Sequence, residues 1–257
     1  QRQMCIRDRP LWKQYIIYLG NFLRGDFGVS YTKAGLTVNK VIADGFPFSL
    51  TIGIYASLVV VFAGILFGSV CALRQNKLID RFFMVLSTLG STIPSFVLAT
   101  GFLFLFSKTM GLVPAFGVDE VAGYIGPVLV IGAFPLSFIT RLTRTSLVEV
   151  QQQDYIRTAR SKGISEFKVI YKHALRNALL PVVTYIGPMV ASIVTGSFVI
   201  ETVFGIPGVG QLFTDSIVNR DYPLIMGITV FFAVLLVLAV LIVDLVYVLI
   251  DPRIKLD

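Results

Sequence analysis

His173, Asp244, Cys5 and Cys71 are the side chains best suited to chemistry, and their spacing assembles no reacting group. His173 stands among Lys172 and Arg176 with no cysteine or carboxylate at ligand spacing. The two cysteines form neither a disulfide framework nor a metal motif. There is no metalloprotease helix motif, and no glycine-rich phosphate loop ending in Lys followed by Ser or Thr. The expected catalytic, metal and cofactor sites are therefore none. Asp244 lies near the inner end of its apolar run, where a carboxylate faces a helix bundle or reaches the interface. A proton- or ion-coupled carrier usually keeps relay groups inside its spans, and these apolar cores otherwise hold none.

The chemistry that remains is that of contact. From Glu149 to Pro181 the chain turns polar and basic between two apolar runs. Within it, Thr158 and Ala159 precede Gly163, which allows a sharp turn. Ser165 can cap the helix that follows, and Glu166 suits its first turn. Phe167, Ile170, Tyr171 and Ala174 share one face by three-and-four spacing, with Lys168, Lys172 and Arg176 on the other. Such a helix either docks on a soluble partner or rests on anionic lipid. The small-residue turn before it favours docking.

The elements that present this loop are membrane spans. With 55% hydrophobic residues, 14% charged and a mean hydropathy of +0.80, the composition is that of a polytopic membrane protein. A net charge of +7 must be judged loop by loop, and does not indicate nucleic acid. Five runs are long enough to cross a bilayer, at about 47–73, 82–107, 125–147, 178–200 and 225–250. Gly64 and Gly68 give the first a small-xxx-small surface for a neighbouring helix. Pro94, Pro127, Pro135, Pro181 and Pro188 kink the later ones. Thirteen Lys and Arg residues fall on one side, and Lys108 and Arg220 on the other beside Asp119, Glu120, Glu201, Asp215 and Asp221. That bias places the 148–177 loop and the C-terminus in the cytoplasm. Residues 1–46 then lie outside despite seven basic residues against three acidic ones, which suggests a first span missing upstream. Trp12, Tyr15, Ile16, Leu19 and Leu23 predict an interfacial helix there. The chain thus divides into an extracytoplasmic segment, 1–46, and a transmembrane domain, 47–257.

The segments PLWKQYIIYLGNFLRGDFGVSY, IPSF, RLTRTSLVEV, DYIRTARSKGIS, HALRNALLPVVT, ETVFGIPGVGQL, RDYPLIMG and DPRIK follow one another in an order and spacing that resembles the dipeptide, oligopeptide and nickel permease family of ATP-binding cassette (ABC) importers. The match runs from about Pro10 to the C-terminus. It departs from the general importer signature where Arg157 and Thr158 replace glutamate and alanine, and Arg176 replaces proline. The resemblance implies an all-α permease of the type I importer fold in a bacterial or archaeal inner membrane. It implies a path for short peptides, or for nickel or another small solute. It also implies a second, different permease, two cytoplasmic ABC ATPases that hydrolyse the ATP, and an extracytoplasmic binding protein. Thr158, Ala159, Gly163, Ser165, Phe167, Ile170 and Tyr171 would then be the ATPase-coupling residues. Ser91, Thr92, Ser95, Thr195 and Ser197 are candidates to face the path, or to bond between helices. A passive channel or scaffold whose loop binds lipid is the contrasting reading.

Overall fold

The computed structural model describes residues 10–118 and 120–250, without the side chains of 244 and 246–250. Asp119, the Asp244 side chain, residues 1–9 with Cys5, and Arg253 and Lys255 lie outside the described residues. The described chain is helical, with one isolated bridge between Val29 and Thr37. Three helices are long and apolar enough to span a bilayer, and five spans result if two sharply bent helix pairs are each one crossing.

Helix α1, Leu11–Leu23, exposes Trp12, Tyr15, Ile16, Leu19 and Leu23, the stripe expected from their spacing. Helix α2, Val38–Leu73, begins before the apolar run because the Thr37 side chain accepts from the Lys40 amide and caps it. Its inner face packs along α5, Ile125–Gln151. A Cβ placed on Gly64 would lie 2.7 Å from Ile139 Cγ2, and one on Gly68 would lie 2.6 Å from the Thr140 carbonyl. Only glycine at this spacing lets the two backbones approach so closely.

The run expected as one span over 82–107 is instead two helices, α3 at Leu78–Thr92 and α4 at Ser95–Phe102, the latter running on as a π-helical turn to Thr109. They meet at 110°. Pro94 accounts for the break: its ring forces Ile93 out of the helical region, to φ −76° and ψ 126°, and α4 restarts at Ser95. A milder bend of 51° separates α7, Glu166–Ala178, from α8, Leu180–Val194, where Pro181 opens the new helix. The apolar run over 178–200 also ends early, because Gly196 takes φ +89° and the chain restarts as α9, Phe198–Val203. Helix α6, Asp154–Ser161, precedes α7, and α10, Val209–Val218, leads to α11, Tyr222–Ile250.

The main core joins α2, α4, α5, α8 and α9 through Ile52, Val60, Ala99, Ile139, Val182 and Ile200. A second cluster lies under the polar loop, and a third gathers Val38, Ile42, Val209, Leu224 and Ile228 where α2, α10 and α11 meet.

Candidate functional site

Two places collect the residues singled out by sequence. At the first, the α3–α4 bend opens a cavity of about 640 Å³ against α5, α8 and α9. Ser91, Thr92, Ser95 and Ser197 line it, together with Tyr185 and Ser192, and no lining residue is charged. Thr195 is not among the lining residues, and its hydroxyl donates to the Ser192 carbonyl at 2.7 Å. The Ser91 hydroxyl likewise bonds within its own helix, to the Thr88 carbonyl at 3.1 Å. Ser197 caps α9 by accepting from the Ile200 amide. Both the Ser91 and the Thr195 hydroxyls thus bond locally. Tyr185 and Ser192 carry no motif in the sequence; they lie on α8 and line the cavity together with the α3–α4 bend.

At the second place the loop helices fold back on the bundle. Gly163 has φ +73° and no atom within 4 Å of where a Cβ would stand, so the turn itself requires glycine and crowding does not. Arg160 and Glu166 close the turn, with Nη2 to Oε1 at 2.7 Å and Nε to Oε2 at 3.2 Å. The Arg160 guanidinium holds the Glu166 carboxyl below its ordinary range. Ser165 occupies the N-cap position, but its side chain makes no capping hydrogen bond, contrary to the sequence expectation. Its carbonyl accepts from the Val169 amide instead.

The face assignment also needs correction. Residues Val169–Ala174 form a π-helical turn, which aligns positions five apart. Val169 and Ala174 are fully buried with Ala178 against Ala72, Leu147, Ile156 and Ala159. Ala174 is therefore core, and Ala159 supports the loop from beneath. Phe167 and Tyr171 stay 69% and 56% exposed with ring centroids 4.4 Å apart, and Ile170 is half-buried beside them. Thr158 is exposed, its hydroxyl bonded to the Asp154 carbonyl. The apolar underside of α7 is covered by protein, so what it offers outward is an aromatic pair among Lys168, Lys172 and Arg176.

Three carboxylates are structural. Asp80 on α3 is paired with Arg144 on α5. Glu201 is buried and accepts from the amides of Gly210 at 2.8 Å and Gln211 at 3.3 Å, holding the start of α10. Asp221 is fully buried and accepts from the Ser30 hydroxyl, the amides of Tyr31 and Thr32, and the Thr32 hydroxyl at 2.8 Å. Burial works to raise its pKa, but these donors outweigh burial and hold it below the usual carboxylate range. No group of three His, Cys, Asp or Glu side chains stands close enough to hold a metal ion among the described residues.

Residues 64–256 match the family described as the binding-protein-dependent transport system inner membrane component. The chain is 49% identical over 249 residues to the dipeptide transport system permease protein DppB of Bacillus subtilis, covering 97% of this chain and 81% of that one. It is 43% identical over 250 residues to the oligopeptide transport system permease protein OppB of Haemophilus influenzae, covering 96% and 82%. The fold superposes on an inward facing structure of the MetNI methionine ABC transporter with a TM-score of 0.66 at 16% identity, over 80% of this chain and 94% of that one. A second solved structure, an amino acid ABC transporter, gives a TM-score of 0.62 at 16% identity, over 80% and 92%.

Proposed function

We infer the work of this chain from its membership: it belongs to the binding-protein-dependent transport system inner membrane component family, and is a multi-pass permease subunit of an ABC importer. Its solute is a short peptide. The observation that carries this reading is the uncharged cavity of about 640 Å³ beside the Pro94 bend, large enough for a small ligand and lined by six hydroxyls. Hydroxyls can donate to or accept from a peptide backbone without selecting for side-chain charge. The identities to dipeptide and oligopeptide permeases favour peptide over nickel, for which soft or imidazole ligands would be expected.

The path is completed by a second, homologous permease. An extracytoplasmic binding protein delivers the peptide. Energy enters through two cytoplasmic ABC ATPases that hydrolyse ATP, and this subunit hydrolyses nothing. Residues 148–177 form the coupling loop of the 47–257 permease domain, with Phe167, Ile170 and Tyr171 seated in an ATPase groove and Gly163 setting the turn. Thr158, Ala159 and Ser165 shape that loop. The 148–177 loop and the C-terminus face the cytoplasm, and residues 1–46 lie outside.

Cysteines placed at Ser91, Ser95 and Ser192, in a transporter reconstituted with its partners, test the path. A dipeptide should slow their modification by a small thiol reagent while leaving Thr195→Cys unaffected. Equal rates with and without peptide at all three cavity positions would contradict this assignment.

A further inference from the structure

At the opposite end of α3 from the Pro94 bend, the turn between α2 and α3 carries Arg74, Lys77 and Arg81 around an open cavity of about 730 Å³. No acidic residue lines it. Asp80, the only acid between Arg74 and Leu89, has its carboxylate occupied by Arg144 and by the Asn76 amide at 2.8 Å. No side chain caps the first amides of α3, and the acid in its first turn, Asp80, is the one paired with Arg144. Above this cluster the helix exposes a column of apolar side chains: Leu78 at 81%, Phe82 at 64%, Val85 at 61% and Leu89 at 49%. Their spacing of four, three and four residues keeps them on one face. A cationic end beneath an apolar column is the complement of one amphiphile, with anionic headgroup at the water boundary and acyl chains along the helix.

We propose that the Arg74–Lys77–Arg81 turn with the Leu78–Leu89 column binds an anionic diacyl phospholipid, its phosphate on the three cations and one acyl chain along the column. Charge complementarity identifies the occupant. A zwitterionic lipid has the same tails, but its ammonium would face three positive charges. Free phosphate meets the cations but gains nothing from the apolar column.

Native mass spectrometry of the full chain in mild detergent tests the site. Phosphatidylglycerol and phosphatidylethanolamine would be titrated against wild type and against Arg74→Gln/Lys77→Gln/Arg81→Gln. Phosphatidylglycerol should be retained in preference, and the triple variant should bind it roughly a hundredfold more weakly, at the attraction expected per basic residue. The charge-keeping variant Arg74→Lys/Lys77→Arg/Arg81→Lys should retain it, which separates lost charge from lost fold. Inorganic phosphate should not displace it. Equal retention of the two lipids by wild type, undiminished retention by the glutamine variant, or displacement by phosphate would each overturn the proposal. So would loss of the lipid on assembly with the partner subunits, which would put a protein on this face.

Discussion

Arg144 on α5 meets Asp80 on α3 through two parallel hydrogen bonds, Nε to Oδ1 at 2.6 Å and Nη2 to Oδ2 at 2.7 Å. The Asp80 side chain is 3% exposed and that of Arg144 22%. This fork fixes α3, and with it the cavity at the far end of that helix, against α5. Taking away one partner leaves a buried charge uncompensated, which typically costs about 3–5 kcal/mol. Asp80→Ala should therefore lower the unfolding midpoint in detergent sharply. The double replacement Asp80→Leu/Arg144→Met should recover most of the loss, as apolar isosteres of buried pairs often do. A single-variant midpoint equal to that of the wild type would show that the pair is not structural.

The Gly163 turn makes a prediction free of packing effects, since a Cβ there would touch nothing within 4 Å. With φ at +73°, Gly163→Val should cost about 1–2 kcal/mol locally through backbone strain alone. Amide exchange over 166–178 should accelerate about tenfold, with exchange in α2 unchanged. Unaltered exchange in the loop would mean that the turn does not require positive φ.

Much of this architecture was legible before any coordinates. The five apolar runs, the small-residue pair at Gly64 and Gly68, the stripe on α1 and the turn at Gly163 all depend on local periodicity or on one residue's conformational range. The 110° bend at Pro94 was legible only as a kink, because its angle depends on what α4 packs against. The buried face of α7 was misread because three-and-four spacing assumes an α-helix, whereas Val169 and Ala174 align through a π turn. Asp80 and Arg144 are 64 residues apart, and Ser30 and Asp221 are 191. No local pattern marks such pairs, so Asp221 reads as an ordinary outer-side charge and Asp80 draws no reading. Tyr185 and Ser192 escaped attention for the same reason.

Asp221 links the 30–32 loop to the start of α11, and the linkage carries a pH dependence. Its pKa is held below the ordinary carboxylate value by the Ser30, Tyr31 and Thr32 donors acting against burial. A depressed folded value means that the stabilisation is fully present above the unfolded value and is lost as pH falls through the folded one. Proteolysis within 28–33 should accordingly accelerate on acidification. Asp221→Asn should be more susceptible than wild type at neutral pH and converge with it in acid. A constant difference across the whole range would exclude Asp221 as the titrating group.

Orientation can be read with an impermeant thiol reagent on right-side-out vesicles, in a Cys5→Ser background where the remaining Cys71 is buried. Asp215→Cys and Ser165→Cys are both at exposed positions. The first should be labelled and the second spared. Labelling at position 165 in sealed vesicles would invert the topology and remove the loop from reach of any ATPase.

The coupling role proposed for α7 is tested most directly by association with the ATPase. The outward surface of that helix is the Phe167 and Tyr171 pair, because Val169 and Ala174 are already buried in this chain. In the assembled transporter, Phe167→Ala/Tyr171→Ala should abolish co-purification of the ATPase, since truncating interface aromatics of hot-spot rank costs about 2 kcal/mol or more each. The permease itself should remain monodisperse and folded, as both rings lie outside the core. Lys168→Gln/Lys172→Gln should keep most of the ATPase in detergent, where anionic lipid contributes nothing. ATPase retained at wild-type level by the aromatic variant, with loss confined to the lysine variant, would contradict the account and leave α7 as a charged surface helix.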